Sequence, residues 1–217
     1  SISGSGFFQV DYSYVDSNGC SSTASQTVTV DTNNVNITQF PFSSLCYDDD
    51  SLVLTGGSPI GGTYSGEGVI NGVFYPSLVS PDTIEITYSY LESNSCLATR
   101  SEDLVVNPLP IVSLNQIDST CLNDAPIILD TGVPLGGVYS GSGVANGVFN
   151  PSLSNVGPNE IFYSYTDLNG CVNETSVITY VKPLPSVNLS ILNSLCEDAS
   201  SIILSNGSPL GGTYDGN

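Results

Sequence analysis

Apolar and polar residues alternate along several short stretches of the chain. Ile84, Ile86, Tyr88 and Tyr90 fall on one side of an extended backbone, and Glu85, Thr87 and Ser89 fall on the other. A period of two predicts a half-buried strand. Residues 175–181 are rich in β-formers and predict its partner, with Asp167-Leu168-Asn169-Gly170 as the tight turn, because Asn-Gly accepts positive φ at low cost. Shorter strands are expected at 51–54, 62–65 and 72–75, separated by Gly and Pro, and at 111–115.

The same pattern returns at a fixed interval. Gly57-Ser58-Pro59-Ile60-Gly61-Gly62-Thr63-Tyr64-Ser65-Gly66 recurs as Gly132-Val133-Pro134-Leu135-Gly136-Gly137-Val138-Tyr139-Ser140-Gly141 and again from Gly207 to Gly216. Tyr12-Ser13-Tyr14, Tyr88-Ser89-Tyr90 and Tyr163-Ser164-Tyr165 repeat likewise, and Asn107-Pro108-Leu109-Pro110 and Lys182-Pro183-Leu184-Pro185 punctuate the boundaries. These spacings predict the back half of a repeat at 1–32, complete repeats at 33–109 and 110–185, and the front half of a repeat at 186–217. Half a repeat cannot bury its apolar face alone, so the chain is expected to be a stretch of a longer tandem array. Six or seven strands in each repeat of about 75 residues predict an all-β protein built of tandem, small immunoglobulin-like β-sandwich repeats.

Composition narrows the function. Two Lys or Arg against 21 Asp or Glu leave a formal charge of −19. A nucleic-acid partner is excluded because two cations cannot neutralise a phosphate backbone. Direct membrane insertion is not expected, and an anionic membrane surface would repel the chain. His is absent, which removes the side chain most often used for acid–base work near neutral pH, so no enzyme and no catalytic residue is expected. The Gly-Gly-Thr-Tyr-Ser-Gly strings lack a P-loop lysine and a following helix, and are expected to be hairpin and bulge glycines. No cofactor is implied.

Cys46, then Leu52-Val53-Leu54-Thr55-Gly56-Gly57-Ser58-Pro59, Gly61-Gly62-Thr63-Tyr64-Ser65-Gly66 and a closing Asn-Gly-Cys together resemble the tandem immunoglobulin-like repeats of very long Bacteroidota surface proteins. Gliding-motility adhesins of the SprB type are an example. The resemblance implies export by the type IX secretion system and display as an extended filament outside a Gram-negative cell. It also implies the Bacteroidota O-glycosylation pattern, Asp followed by Ser or Thr and a small or aliphatic residue. Ser51, Thr83 and Ser119 fit it.

The six cysteines, at 20, 46, 96, 121, 171 and 196, follow the repeat. Without a CxxC or a His they do not read as a zinc site, and structural disulfides in an oxidising compartment are expected. Two pairings are open. One joins Cys46 to Cys96 and Cys121 to Cys171 within repeats. The other joins Cys46 to Cys171 across repeats, since the two ends of a strand lie farther apart than a disulfide can reach. Cys20 and Cys196 are expected to pair outside the chain. Asp48, Asp49, Asp50 and Asp167 lie beside these cysteines and are candidate calcium ligands at junctions. The same residues are also common turn formers, and Asn123, Asp124 and Ala125 do not preserve the set.

The expected function is therefore a structural segment of a cell-surface fibre or adhesin, serving gliding or attachment, with neighbouring repeats as its partners. The alternative is a carbohydrate-binding module array in which the tyrosine pairs stack on surface polysaccharide. Their regular alternation favours burial in the core instead.

Overall fold

The computed structural model describes residues 4–32, 35–93 and 95–216. Residue 33, where the first complete repeat is expected to begin, lies outside them. The protein is all-β. Its chain falls into two units, one of residues up to Pro110 together with Asp167–Cys171, the other of Ile111–Thr166 with the residues from Val172 onward.

An N-terminal hairpin comprises β1 (Gly6–Val15) and β2 (Ser21–Val30). The first complete repeat follows with β3 (Leu45–Cys46), β4 (Leu52–Val53), β5 (Thr63–Ser65), β6 (Val69–Ile70), β7 (Val73–Phe74), β8 (Thr83–Leu91) and β9 (Leu97–Asn107). They form a four-stranded sheet ordered β3-β9-β8-β5 and a three-stranded sheet ordered β4-β7-β6. Phe74 of β7 and Leu54, the residue after β4, meet Ile84, Ile86, Leu104 and Val106 from the other sheet in a single apolar core. Two sheets closed over one core make a sandwich. The predicted alternation is visible in β8, where Ile84, Ile86 and Tyr88 are buried and Thr83 and Glu85 are exposed.

The second repeat has the same plan. Its strands are β10 (Ser113–Leu114), β11 (Thr120–Cys121), β12 (Ile127–Ile128), β13 (Gly132–Val133), β14 (Val138–Gly141), β15 (Val144–Ala145), β16 (Val148–Phe149), β17 (Gly157–Thr166) and β18 (Val172–Lys182). The sheets run β11-β18-β17-β14 and β12-β16-β15, enclosing Leu129, Phe149, Ile161 and Val181. Two short strands, β19 (Asn188–Leu189) and β20 (Gly207–Ser208), pair in the C-terminal segment.

Local chemistry explains the turns. Asn71 and Gly72 both have positive φ, at 51° and 78°, between Ile70 and its partner Val73. A two-residue hairpin loop of this kind suits the right-handed twist of its strands. At the tip of β17–β18 only Gly170 has positive φ, at 87°, so the turn is one residue longer than the Asn-Gly pair alone predicts. The Asp167 N–H donates to the Cys171 carbonyl at 2.9 Å and closes it.

Candidate functional site

Cys46 ends β3, whose short parallel pairing sets Cys46 opposite Asn107 at the far end of β9. Cys96 precedes Leu97, the first residue of that 11-residue strand. At roughly 3.3 Å per residue the two cysteines are therefore about 36 Å apart along β9, far beyond disulfide reach. In the second repeat β11 sets Cys121 opposite Lys182, at the end of β18 remote from Cys171. The within-repeat pairing of Cys46 with Cys96 and Cys121 with Cys171 is accordingly not the one found. Cys46 is bonded to Cys171, with Cα atoms 5.5 Å apart and a sequence separation of 125.

Both partners are held by carboxylates. Asp49 Oδ2 accepts from the Cys46 N–H at 2.7 Å, and the Asp49 N–H donates back to the Cys46 carbonyl at 3.1 Å. Asp167 Oδ1 accepts from the Asn169 and Cys171 N–H groups, each at 2.9 Å. Each carboxylate fixes the turn that presents its cysteine. Asp48 and Asp50 are exposed. Among the described residues no three His, Cys, Asp or Glu side chains gather to hold a metal. Asp49 and Asp167, two of the calcium candidates, each give one carboxylate oxygen to backbone donors.

The same devices recur at other cysteines. Asp124 Oδ2 accepts from the Cys121 N–H and the Thr120 hydroxyl, both at 2.7 Å. The Cys121 N–H first, then the Thr120 hydroxyl, with Lys182 adding attraction, hold the Asp124 carboxyl below its ordinary value. Asp16 Oδ1 accepts from the Asn18 N–H at 2.9 Å and the Cys20 N–H at 2.8 Å. At Cys196 the turn persists without a carboxylate, Ala199 N–H donating to the Cys196 carbonyl at 3.0 Å. A Cys-x-x-Asp spacing at Cys46 and Cys121 was the available signal for these pairs.

The glycine strings serve a second purpose that the sequence reading missed. Gly57, Gly62, Gly132 and Gly137 are not among the positive-φ glycines. A Cβ on Gly57 would lie 2.6 Å from the Tyr88 ring, and one on Gly132 or Gly137 would lie 2.5 Å from the Tyr163 ring. These positions are bare because a tyrosine lies against them. The Tyr88 hydroxyl accepts from the Gly62 N–H at 2.8 Å and donates to the Pro59 carbonyl at 2.5 Å. Tyr163 makes the equivalent pair with Gly137 N–H, at 2.8 Å, and the Pro134 carbonyl. Tyr64 packs against Tyr88 in a tilted arrangement with ring centroids 4.8 Å apart, and Tyr139 packs likewise against Tyr163 at 4.6 Å. Tyr88 and Tyr163 are buried and are closed to a sugar face. Ser51, Thr83 and Ser119, the glycosylation candidates, are all exposed.

No family model matches the chain, and no curated protein does. Among solved structures it is similar to a Ca2+-stabilized adhesin that helps an Antarctic bacterium reach out and bind ice. That match has 15% identity and a TM-score of 0.35, and covers 84% of this chain and 59% of that one. A second is the mixed-linkage glucan utilization locus protein SGBP-B of Bacteroides ovatus, in complex with a mixed-linkage heptasaccharide. It shows 16% identity and a TM-score of 0.24, over 70% of this chain and 45% of that one. The third is mouse Protocadherin-24 EC1-3, with 12% identity and a TM-score of 0.26, over 82% and 80%. The chain spans less than two thirds of the first two. The similarity is distant and assigns no family.

Proposed function

We propose that the chain is a passive, load-bearing spacer in an extracellular surface fibre or adhesin, with one sandwich repeat following another and no catalytic role. The observation that carries this reading is the bond between Cys46 and Cys171, which ties two successive repeats across a sequence separation of 125. Such a bond belongs to an oxidising compartment. Under tension it carries force directly from residue 46 to residue 171 and shields the intervening chain. The formal charge of −19 keeps a long array soluble. The sequence resemblance supports the finer setting, a Bacteroidota surface filament exported by type IX secretion and engaged in gliding or attachment. Ser51, Thr83 and Ser119 are exposed and suit glycan attachment in that setting.

Single-molecule pulling from the two termini tests the mechanical role. The separation of 125 residues, at roughly 3.4 Å per residue, hides about 430 Å of contour length until a reductant is added. An unfolded length that is the same with and without reductant would end this reading. Specific binding of a polysaccharide by the same chain would instead favour a carbohydrate-binding array.

A further inference from the structure

We propose that residues 35–45 form a strap that tension lifts from the first repeat, that Gln39 holds it down, and that the Cys46–Cys171 bond stops the extension once the strap is free. The inference rests on the spacer reading and says how the junction yields under load.

The covalent path decides what tension can reach. With Cys46 bonded to Cys171, a pull between residues 31 and 183 runs along residues 31–46, crosses the bond and continues along residues 171–183. Residues 47–170 hang beside this path and carry no load. The parallel pairs β3–β9 and β11–β18 are therefore bypassed, because β9 and β11 lie between the bonded cysteines. The second part of the path has almost nothing to give. It is β18, Val172–Lys182, and a strand already rises about 3.3 Å per residue, close to the reach of a stretched chain. The first part can lengthen, since the chain forms no strand over residues 39–44, between the Thr38 bridge and β3.

The strap is fastened by a polar contact at its centre. The Thr38 N–H donates to the Ser58 carbonyl at 3.1 Å, and the Ser58 N–H donates back to the Thr38 carbonyl at 2.9 Å. Next to it Gln39 is 8% exposed. Its Nε2 donates to the Thr55 carbonyl at 3.1 Å, and its Oε1 accepts from the Tyr64 hydroxyl at 2.9 Å. That hydroxyl in turn accepts from the Gly57 N–H at 2.7 Å. One buried amide thus ties the strap to β5 and to the loop between β4 and β5. Apolar contacts flank it, with Ile37 against Tyr88 and Ala98, and Phe42 and Leu45 against the main core. A hydrogen bond is lost within roughly an ångström of movement, so the Gln39 amide sets a sharp threshold for release. Leu114 occupies the corresponding place in the second repeat and lies off the path.

Once the strap is free, the next link in the path is the disulfide itself. The junction therefore lengthens by a limited amount and stops. When tension falls, the strap returns to a repeat whose strands β4 to β9 were never loaded.

The test pulls the whole oxidised chain in optical tweezers without reductant. Handles are clicked to azides introduced as Asp31→p-azidophenylalanine and Pro183→p-azidophenylalanine, both at exposed positions. The expected trace shows one reversible lengthening of less than about 50 Å, the contour of residues 31–46 at roughly 3.4 Å per residue, and no further lengthening at higher force. Gln39→Leu keeps an apolar side chain at the site and removes its hydrogen bonds. It should raise the release rate at fixed force about tenfold or more. Leu114→Ala weakens the second repeat, off the path, and should leave that rate unchanged. Four results would each overturn the proposal: no lengthening, a lengthening beyond the stated limit, release indifferent to Gln39→Leu, or release accelerated equally by Leu114→Ala. The spacer reading falls on a different result, an unfolded length that ignores the reductant, so the two can fail separately.

Discussion

Tyr163 reaches its place in the second repeat only because residues 132 and 137 have no side chain. Its hydroxyl then accepts from one backbone N–H and donates to one carbonyl, Gly137 and Pro134. Phe at this position keeps the packing but leaves both backbone groups without their partner in a buried site. Tyr163→Phe should therefore destabilise the repeat by about 1–3 kcal/mol, read as a lower urea midpoint at unchanged slope. The Gly-x-Pro-x-Gly-Gly string was legible as a repeat marker. Its purpose was not, because a glycine required by a close approach looks in sequence like one required by a turn.

At the level of the strand pair, β17–β18 departs from β8–β9 at one buried rung. The first repeat places Ile84 opposite Leu104, and the second places Asn159 opposite Thr179. Both polar residues are buried and satisfied. Asn159 Nδ2 donates to the Asn155 and Gly157 carbonyls at 2.7 and 3.1 Å, and its Oδ1 accepts from the Asn155 N–H at 3.2 Å. Thr179 Oγ1 donates to the Asp118 carbonyl at 2.9 Å. Asn159 therefore anchors the loop entering β17 in place of an apolar side chain. Asn159→Ala should cost about 1–3 kcal/mol, with hydrogen-exchange protection lost first over residues 155–158 and no change in the first repeat. The strands themselves were legible from the alternation at Ile84, Ile86 and Tyr88. This rung was not, since Asn and Thr break an apolar pattern whatever their hydrogen bonds.

Across the whole chain, the Cys46–Cys171 bond closes a loop with a separation of 125 residues, which takes on the order of 5 kcal/mol of freedom from the unfolded state. Cys171→Ser should lower stability by about 2–5 kcal/mol in denaturant melts. Cys20→Ser, at an exposed hairpin tip that forms no bond within the chain, should leave the melt unchanged. The repeat period, the all-β class, the long hairpins and the turn positions were set by local pattern, because strand alternation and Asn-Gly chemistry act over a few neighbouring residues. Which cysteines meet, which tyrosines are buried and which carboxylates are taken by backbone donors were decided only by the tertiary structure. Those outcomes depend on distances through space, and the length of β9 separates Cys46 from Cys96 while the fold brings in Cys171 from far along the chain.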